Sequence, residues 1–221
     1  MRSGQSTSSI QAVTGMLDKL LGIANRISLI LVWLGGAALI FAAALTTLDV
    51  LLRKFVNFSF GGADEISGYI FAIATSFAFS YAMLQRTHVR IDALYIKLPR
   101  PVKIFLDVTG FLILGAFVIL VGARAYFVWY GSYVNDSVSI TPLVTPLAIP
   151  QGFWVLGFGF FVLCFIILLL RVVEALVQRD WTTISQLISA RSLEEEITED
   201  AEHAAHEIER EHALHQETAN N

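Results

Sequence analysis

The stretch QGFWVLGFGFFVLCFIILLL, residues 151–170, runs for twenty residues without a charge. A helix rises about 1.5 Å per residue and a hydrocarbon core is about 30 Å thick, so a stretch of this length makes one crossing of a bilayer. Three further uncharged apolar stretches occupy residues 27–48, 66–84 and 108–123. The third is short, bounded by Asp107 and Arg124, but Tyr126, Phe127, Val128, Trp129 and Tyr130 extend it. The expected fold class is an all-α integral membrane protein with four transmembrane helices, near residues 27–48, 64–84, 106–130 and 150–170. Flanking amphipathic helices are expected at the interface, and both termini are expected in the cytoplasm.

Composition points the same way. Of 221 residues, 55% are hydrophobic and 15% charged, which leaves a soluble domain more apolar surface than it can bury. The net charge of -4 is unevenly placed: residues 1–180 carry 13 basic and 9 acidic residues, residues 181–221 carry 2 and 10. Three regions follow: an amino-terminal cytoplasmic or interfacial segment (1–26), a membrane domain (27–180), and an acidic cytoplasmic tail, helical or disordered (181–221). The first span reads as retained rather than as a cleaved signal, because its apolar core exceeds the 7 to 15 residues usual for such signals.

Several function classes drop out. Cys164 is the only cysteine, so one chain can build neither a disulfide framework nor a cysteine metal cluster, and a quinone-linked thiol oxidase is excluded. His88 falls between spans and His203, His206, His212 and His215 fall in the tail, so no span supplies the paired axial histidines of a membrane cytochrome b. No nucleophile elbow, phosphate loop or zinc signature occurs. No enzyme activity, cofactor or metal is expected. The tail pairs, His203 with His206 and His212 with His215, sit three apart among glutamates and read as part of a solvated helix or disordered tail.

Orientation follows from basic residues in short loops. Arg86, Arg90, Lys97, Arg100 and Lys103 crowd the connection between the second and third spans, whereas residues 125–149 contain no Lys or Arg; Arg171 and Arg179 follow the fourth span. Arg53 and Lys54 run against this pattern and Lys19 and Arg26 offset them. Met16, Leu20, Ile23 and Ile27 recur at helical spacing opposite Asp18, Lys19 and Arg26, which reads either as a helix on the inner membrane surface or as an extension of the first span. Ile91, Leu94, Tyr95 and Leu98 make a similar pattern in the inner connection. Pro142, Pro146 and Pro150 break any helix between the last two spans, and Tyr126, Trp129, Tyr130 and Trp154 mark the outer boundary.

Ionisable residues near membrane depth are the functional candidates, since an unpaired charge in lipid is costly. Asp49 and Arg53, four apart, share a helix face, and Asp64 and Glu65 open the second span, where the helix dipole favours carboxylates. Asp49, Arg53 and Glu65 are read as an ion-pair network between helices or subunits, with solvated boundary residues as the alternative. Arg124 either pairs with a partner protein or snorkels to the headgroups. Gly35, Gly36, Gly110, Gly115, Gly122, Gly157 and Gly159 permit close helix approach. Ser67, Thr75, Ser76 and Ser80 are expected to bond back to their own helix rather than line a path.

From residue 48 to about 180 the chain resembles the small permease of tripartite ATP-independent periplasmic (TRAP) transporters, the DctQ type. The resemblance rests on LDVLLRKF with Asp49 and Arg53, ADEISGYIF with Glu65, HVRIDAL with His88, Arg90 and Asp92, and TPLAIPQGFW opening the fourth span. The family often has an aromatic residue beside the glutamate where this chain has Gly62, Ala63 and Asp64, and the acidic tail is longer than the resemblance explains. The resemblance implies a multi-pass protein of the bacterial inner membrane. Its implied role is a scaffold subunit of a sodium-coupled, binding-protein-dependent transporter for organic acids. Its implied partners are a large permease subunit, a periplasmic solute-binding protein and membrane lipids, with no nucleic acid. Arg53, Glu65 and Arg124 would then join helices or subunits, and His88, Arg90 and Asp92 would fix the inner loop. A self-sufficient homo-oligomeric channel or small exporter is the competing reading.

Overall fold

A computed structural model describes residues 3–86, 98–178 and 180–188, with single residues at 201, 205 and 210. Five helices are named: α1 (Ser3–Phe55), α2 (Ala63–Leu84), α3 (Arg100–Val134), α4 (Ala148–Val177) and α5 (Trp181–Ile188). The first four are long and apolar enough to span a membrane, matching the four expected crossings. Each breaks where the sequence supplies a breaker. α1 ends at Phe55, and Asn57 then takes a positive φ of 53°, a conformation asparagine tolerates better than most residues. α3 begins behind Pro99 with a proline in its first turn, and Pro150 lies in the first turn of α4, where a missing N–H costs nothing. At the end of α3 the Asn135 side-chain amide donates back to the Gly131 carbonyl at 2.7 Å.

α1 differs from expectation. Its 53 residues form one unbroken helix, so the amphipathic segment before residue 27 is a continuation of the first span. That segment also turns a different face inward: Leu17 and Ala24 are buried, while Met16, Leu20, Ile23 and Ile27 are exposed. The expected helix over residues 91–98 falls, apart from Leu98, outside the described residues.

α4 is the hub. It packs against α1, α2, α3 and α5, while α1 packs chiefly on α2, and α3 on α4 and α5. In lipid, burying apolar surface brings no transfer gain, so helices associate through close packing. The sequence provides for this by setting small residues against neighbours. A Cβ on Gly157 would collide with the Ser76 side chain and come 3.2 Å from the Phe77 backbone nitrogen, which holds α2 against α4. One on Gly115 would enter the Phe165 ring, and one on Gly35 would meet Ala74 Cβ at 3.2 Å. Gly36, Gly110 and Gly159 face open space, so only part of the expected glycine set makes helix contacts. Phe111 and Phe165 lie 4.8 Å apart, Phe79 and Phe161 5.9 Å, and Cys164 fills the same core as a small apolar side chain.

α5 extends the folded body eight residues into the segment assigned to the tail. Ile184 is only 1% exposed, and Leu187 and Ile188 pack on the core that holds Ala24, Met83, Leu168 and Val172.

Candidate functional site

Two ends of the helix bundle carry nearly all its polar bonding. The loop end contains residues 56–62 and 135–147; the tail end contains the start of α1, the end of α4 and α5.

At the loop end, Asp49 is 2% exposed despite its charge. One carboxylate oxygen accepts the Phe60 backbone N–H at 2.7 Å and the Ser59 hydroxyl at 3.0 Å. The other accepts the Arg53 guanidinium one turn along α1. Ser59 Oγ in turn accepts the Gly61 N–H at 3.2 Å. Irregular backbone beside a membrane has N–H groups that lipid cannot satisfy, and a carboxylate meets that need with strong charge-assisted bonds. Asp49 therefore folds the first loop back onto α1.

Glu65 does the same for the second loop through hydroxyls. It accepts the Tyr69 hydroxyl at 2.6 Å and, on its other oxygen, the Thr141 hydroxyl. Thr141 is bonded to Ser139 at 2.9 Å, and Ser139 and Thr145 exchange bonds of 2.9 and 3.0 Å that close the loop. The Leu147 N–H donates to the Ser137 carbonyl at 2.9 Å. Val144 has a φ of 48°, a strained setting for a β-branched residue, and its N–H donates to the Thr141 carbonyl at 3.1 Å. The loops also touch each other: Leu143 lies against Gly62, and Pro142 stands 3.8 Å from where a Gly61 Cβ would be. Trp129 completes the joint by donating its indole N–H to the Ala148 carbonyl at 3.1 Å, within a stack of Tyr126, Tyr130 and Tyr133.

Among the expected residues, the structure thus joins Asp49 to Arg53 and brings Glu65 to the same loop cluster, but Glu65 is held by hydroxyls rather than by Arg53. Arg124 is exposed on α3 and makes no hydrogen bond or ion pair among the described residues. His88, Arg90 and Asp92, like the four tail histidines, lie outside the described residues. Ser59, Ser139 and Thr141 went unread. Only Tyr69, four residues after Glu65 on a helix, carried a sequence signal.

The tail end bonds by another pattern. Arg171 reaches Asp18 at 2.8 Å and Glu174 at 3.2 Å; Glu174 accepts the Thr14 hydroxyl and the Gln178 amide, the latter at 3.0 Å. Gln85 donates to Asn25 at 3.0 Å, linking α2 to α1. Asp180 caps α5 by accepting the Thr183 N–H at 3.1 Å and the Thr182 and Thr183 hydroxyls at 2.5 and 2.6 Å. These three bonds hold its carboxyl well below the usual range, at about 2. An Asp three residues before a Thr was a legible cap signal.

Chemically, the loop-end carboxylates are occupied as acceptors, which suits holding loops in place rather than proton transfer. No group of three His, Cys, Asp or Glu capable of holding a metal occurs among the described residues. The hydroxyls of α2 turn inward or onto their own helix. Thr75 and Ser76 donate to the Phe71 and Ile73 carbonyls, Ser67 bonds Thr46 of α1 at 2.7 Å, and Ser80 is buried without a partner. They line no path.

Comparison with known proteins gives one result. The family model described as tripartite ATP-independent periplasmic transporters, DctQ component, matches residues 42–177. No curated protein and no solved structure matches the chain. The matched segment opens just before Asp49, takes in both loops, and closes at the end of α4. The chain accordingly belongs to the DctQ family, the small inner-membrane component of TRAP transporters.

Proposed function

We propose that this subunit is the fixed scaffold of a sodium-coupled, binding-protein-dependent transporter for organic acids, and that it supports a large permease subunit that carries the substrate and ion sites. The observation that carries this reading is the division of labour in the bundle. The core around α4 is apolar and closely packed, and the ionisable groups described above sit at the two ends, holding loops and helix termini. Such a body offers shape and stiffness, and a moving partner needs a stationary surface to work against. Both termini face the cytoplasm in this reading, which places the loop end on the periplasmic side, where a solute-binding protein arrives. Asp49, Arg53 and Glu65 set the loops there; Arg124 faces lipid or the large subunit; His88, Arg90 and Asp92 order the cytoplasmic connection.

The test is to tag the chain, extract it from its native membrane in mild detergent, and determine what co-purifies and in what ratio. A large multi-span protein at equal stoichiometry, with an organic-acid uptake that stops when sodium is withdrawn, is the expected result. Glu65→Ala is expected to lower the yield of assembled complex while substrate affinity stays within about twofold of the parent, since every bond Glu65 makes is to this chain's own hydroxyls. Normal assembly with a changed affinity sinks that assignment.

A further inference from the structure

α1 is far longer than a bilayer is thick, and one exposed face of it is apolar for nearly its whole length. Starting at Val13 and stepping by three and then four residues, the track passes Met16, Leu20 and Ile23 and continues in the same rhythm to Leu51 and Phe55. Every position on it is an apolar residue, and every one is exposed. This is the a and d repeat of a supercoiling helix, a period of 3.5 residues that keeps one seam turned toward a partner helix.

Acyl chains do not cover such a seam. From Val13 to Phe55 it rises about 63 Å, roughly twice the 30 Å of hydrocarbon. A helix that crosses the membrane can also lie flat on its surface only by turning sharply between the two. α1 contains no proline, and its helix is unbroken from Ser3 to Phe55. The tail half is moreover fastened to α4 by the 2.8 Å Arg171–Asp18 pair and by the bond from Thr14 to Glu174. About half of the seam therefore needs a protein cover that passes continuously out of the bilayer.

The flanks of the seam say what that cover is. On one side Leu17 and Ala24 are already packed into the bundle. On the other side stand exposed Lys19 and Arg26, with no carboxylate on the same flank. A second copy of this chain shares the membrane orientation and would have to lie parallel. Lys19 and Arg26 of one copy would then face the Leu17 and Ala24 flank of the other, which is buried and uncharged. A different chain is required.

We infer that α1 is the seat of a transmembrane helix of another protein, one with a 3-4 apolar seam that continues past the bilayer at the tail end and carries carboxylates opposite Lys19 and Arg26. Resting on the function proposed above, that helix belongs to the large permease subunit.

The test uses the full chain co-expressed with its large subunit. Ile23→Glu, on the seam and outside the buried core, is expected to cut the co-purified large subunit by about tenfold. Gly22→Ala, one residue off the seam with open space around it, leaves recovery unchanged. Both variants should keep the parent's helical content. A photo-crosslinking residue at position 23 should label the large subunit. Unchanged recovery with Ile23→Glu, or a crosslink only to lipid or to a second copy of this chain, overturns the inference. A parent chain that recovers no large subunit at all defeats the scaffold reading itself, and with it this occupant of α1.

Discussion

The loop end and the tail end of this bundle are both held by acidic side chains, yet in opposite ways. At the loop end Asp49 bonds the backbone and side chain of residues 10 and 11 positions away in the sequence, and Glu65 bonds the hydroxyls of a loop. At the tail end Asp18 and Glu174 join helices whose residues lie 153 and 160 positions apart. The difference follows from what each end must satisfy. Loops leave backbone N–H groups without partners, and near hydrocarbon those groups need strong acceptors. Long regular helices satisfy their own backbone, so charged residues there only fix one helix against another. Acids at the first end shape the chain; at the second they set register.

The largest effect should come from removing the acid that shapes a loop. Asp49→Ala leaves the Phe60 N–H and the Ser59 hydroxyl without their acceptor and frees Arg53. The turn over residues 56–62 should open, and limited trypsin cleavage at Arg53 and Lys54 should accelerate by roughly tenfold or more. Asp49→Asn retains one carbonyl acceptor and should fall between. Hydrogen exchange in α5 should not move in either variant. Equal cleavage rates in Ala and parent chains would show that the first loop is held by packing instead.

A second substitution attacks the other end. Ile184 is 1% exposed on a helix of eight residues, too short to persist without its tertiary contacts. Ile184→Ala should weaken docking of α5 by about 2–5 kcal/mol, the usual cost of truncating a buried aliphatic side chain. The readout is hydrogen exchange across residues 181–188. Trypsin sensitivity at the loop end should stay at the parent's level. If opening α5 also loosens residues 135–147, the two ends are not independent and the contrast drawn here fails.

The same contrast decides what the sequence could disclose. The spans were legible because lipid imposes a minimum length of uncharged residues, and 151–170 meets it without interruption. The loop end was partly legible: the four-residue step from Asp49 to Arg53 lies on one helix face, and Pro142, Pro146 and Pro150 announce an irregular segment. The hydroxyl partners of Glu65 were not, since Ser139 and Thr141 resemble any loop residues until the loop folds over α2. At the tail end almost nothing was legible. No local pattern connects Asp18 to Arg171, and α5 is brief enough to merge with the acidic stretch that follows it. α1 was misread in a more instructive way. Met16, Leu20, Ile23 and Ile27 do form an apolar stripe, but the bundle uses Leu17 and Ala24 beside it, and periodicity alone does not say which of two adjoining faces is taken.

The smallest effect concerns the cap of α5 and its dependence on pH. Asp180 titrates at about 2 in the folded chain against 3.8 for a free aspartate, because Thr182 and Thr183 bond its ionised form. A carboxyl whose folded value is depressed contributes stability that is complete above the unfolded value and lost as pH falls through the folded one. Protection of α5, corrected for intrinsic exchange, should therefore be flat from neutral pH down to about 4 and should decline only toward about 2. Thr183→Ala removes one of the hydroxyl donors, so the Asp180 carboxyl moves back toward its ordinary value and the decline narrows. Because Asp180 is part-exposed and water replaces much of what the cap supplies, the change should be weaker than that of Ile184→Ala. A decline that begins near neutral pH would mean that another group controls the docking of α5, with the Asp18, Arg171 and Glu174 cluster the first place to look.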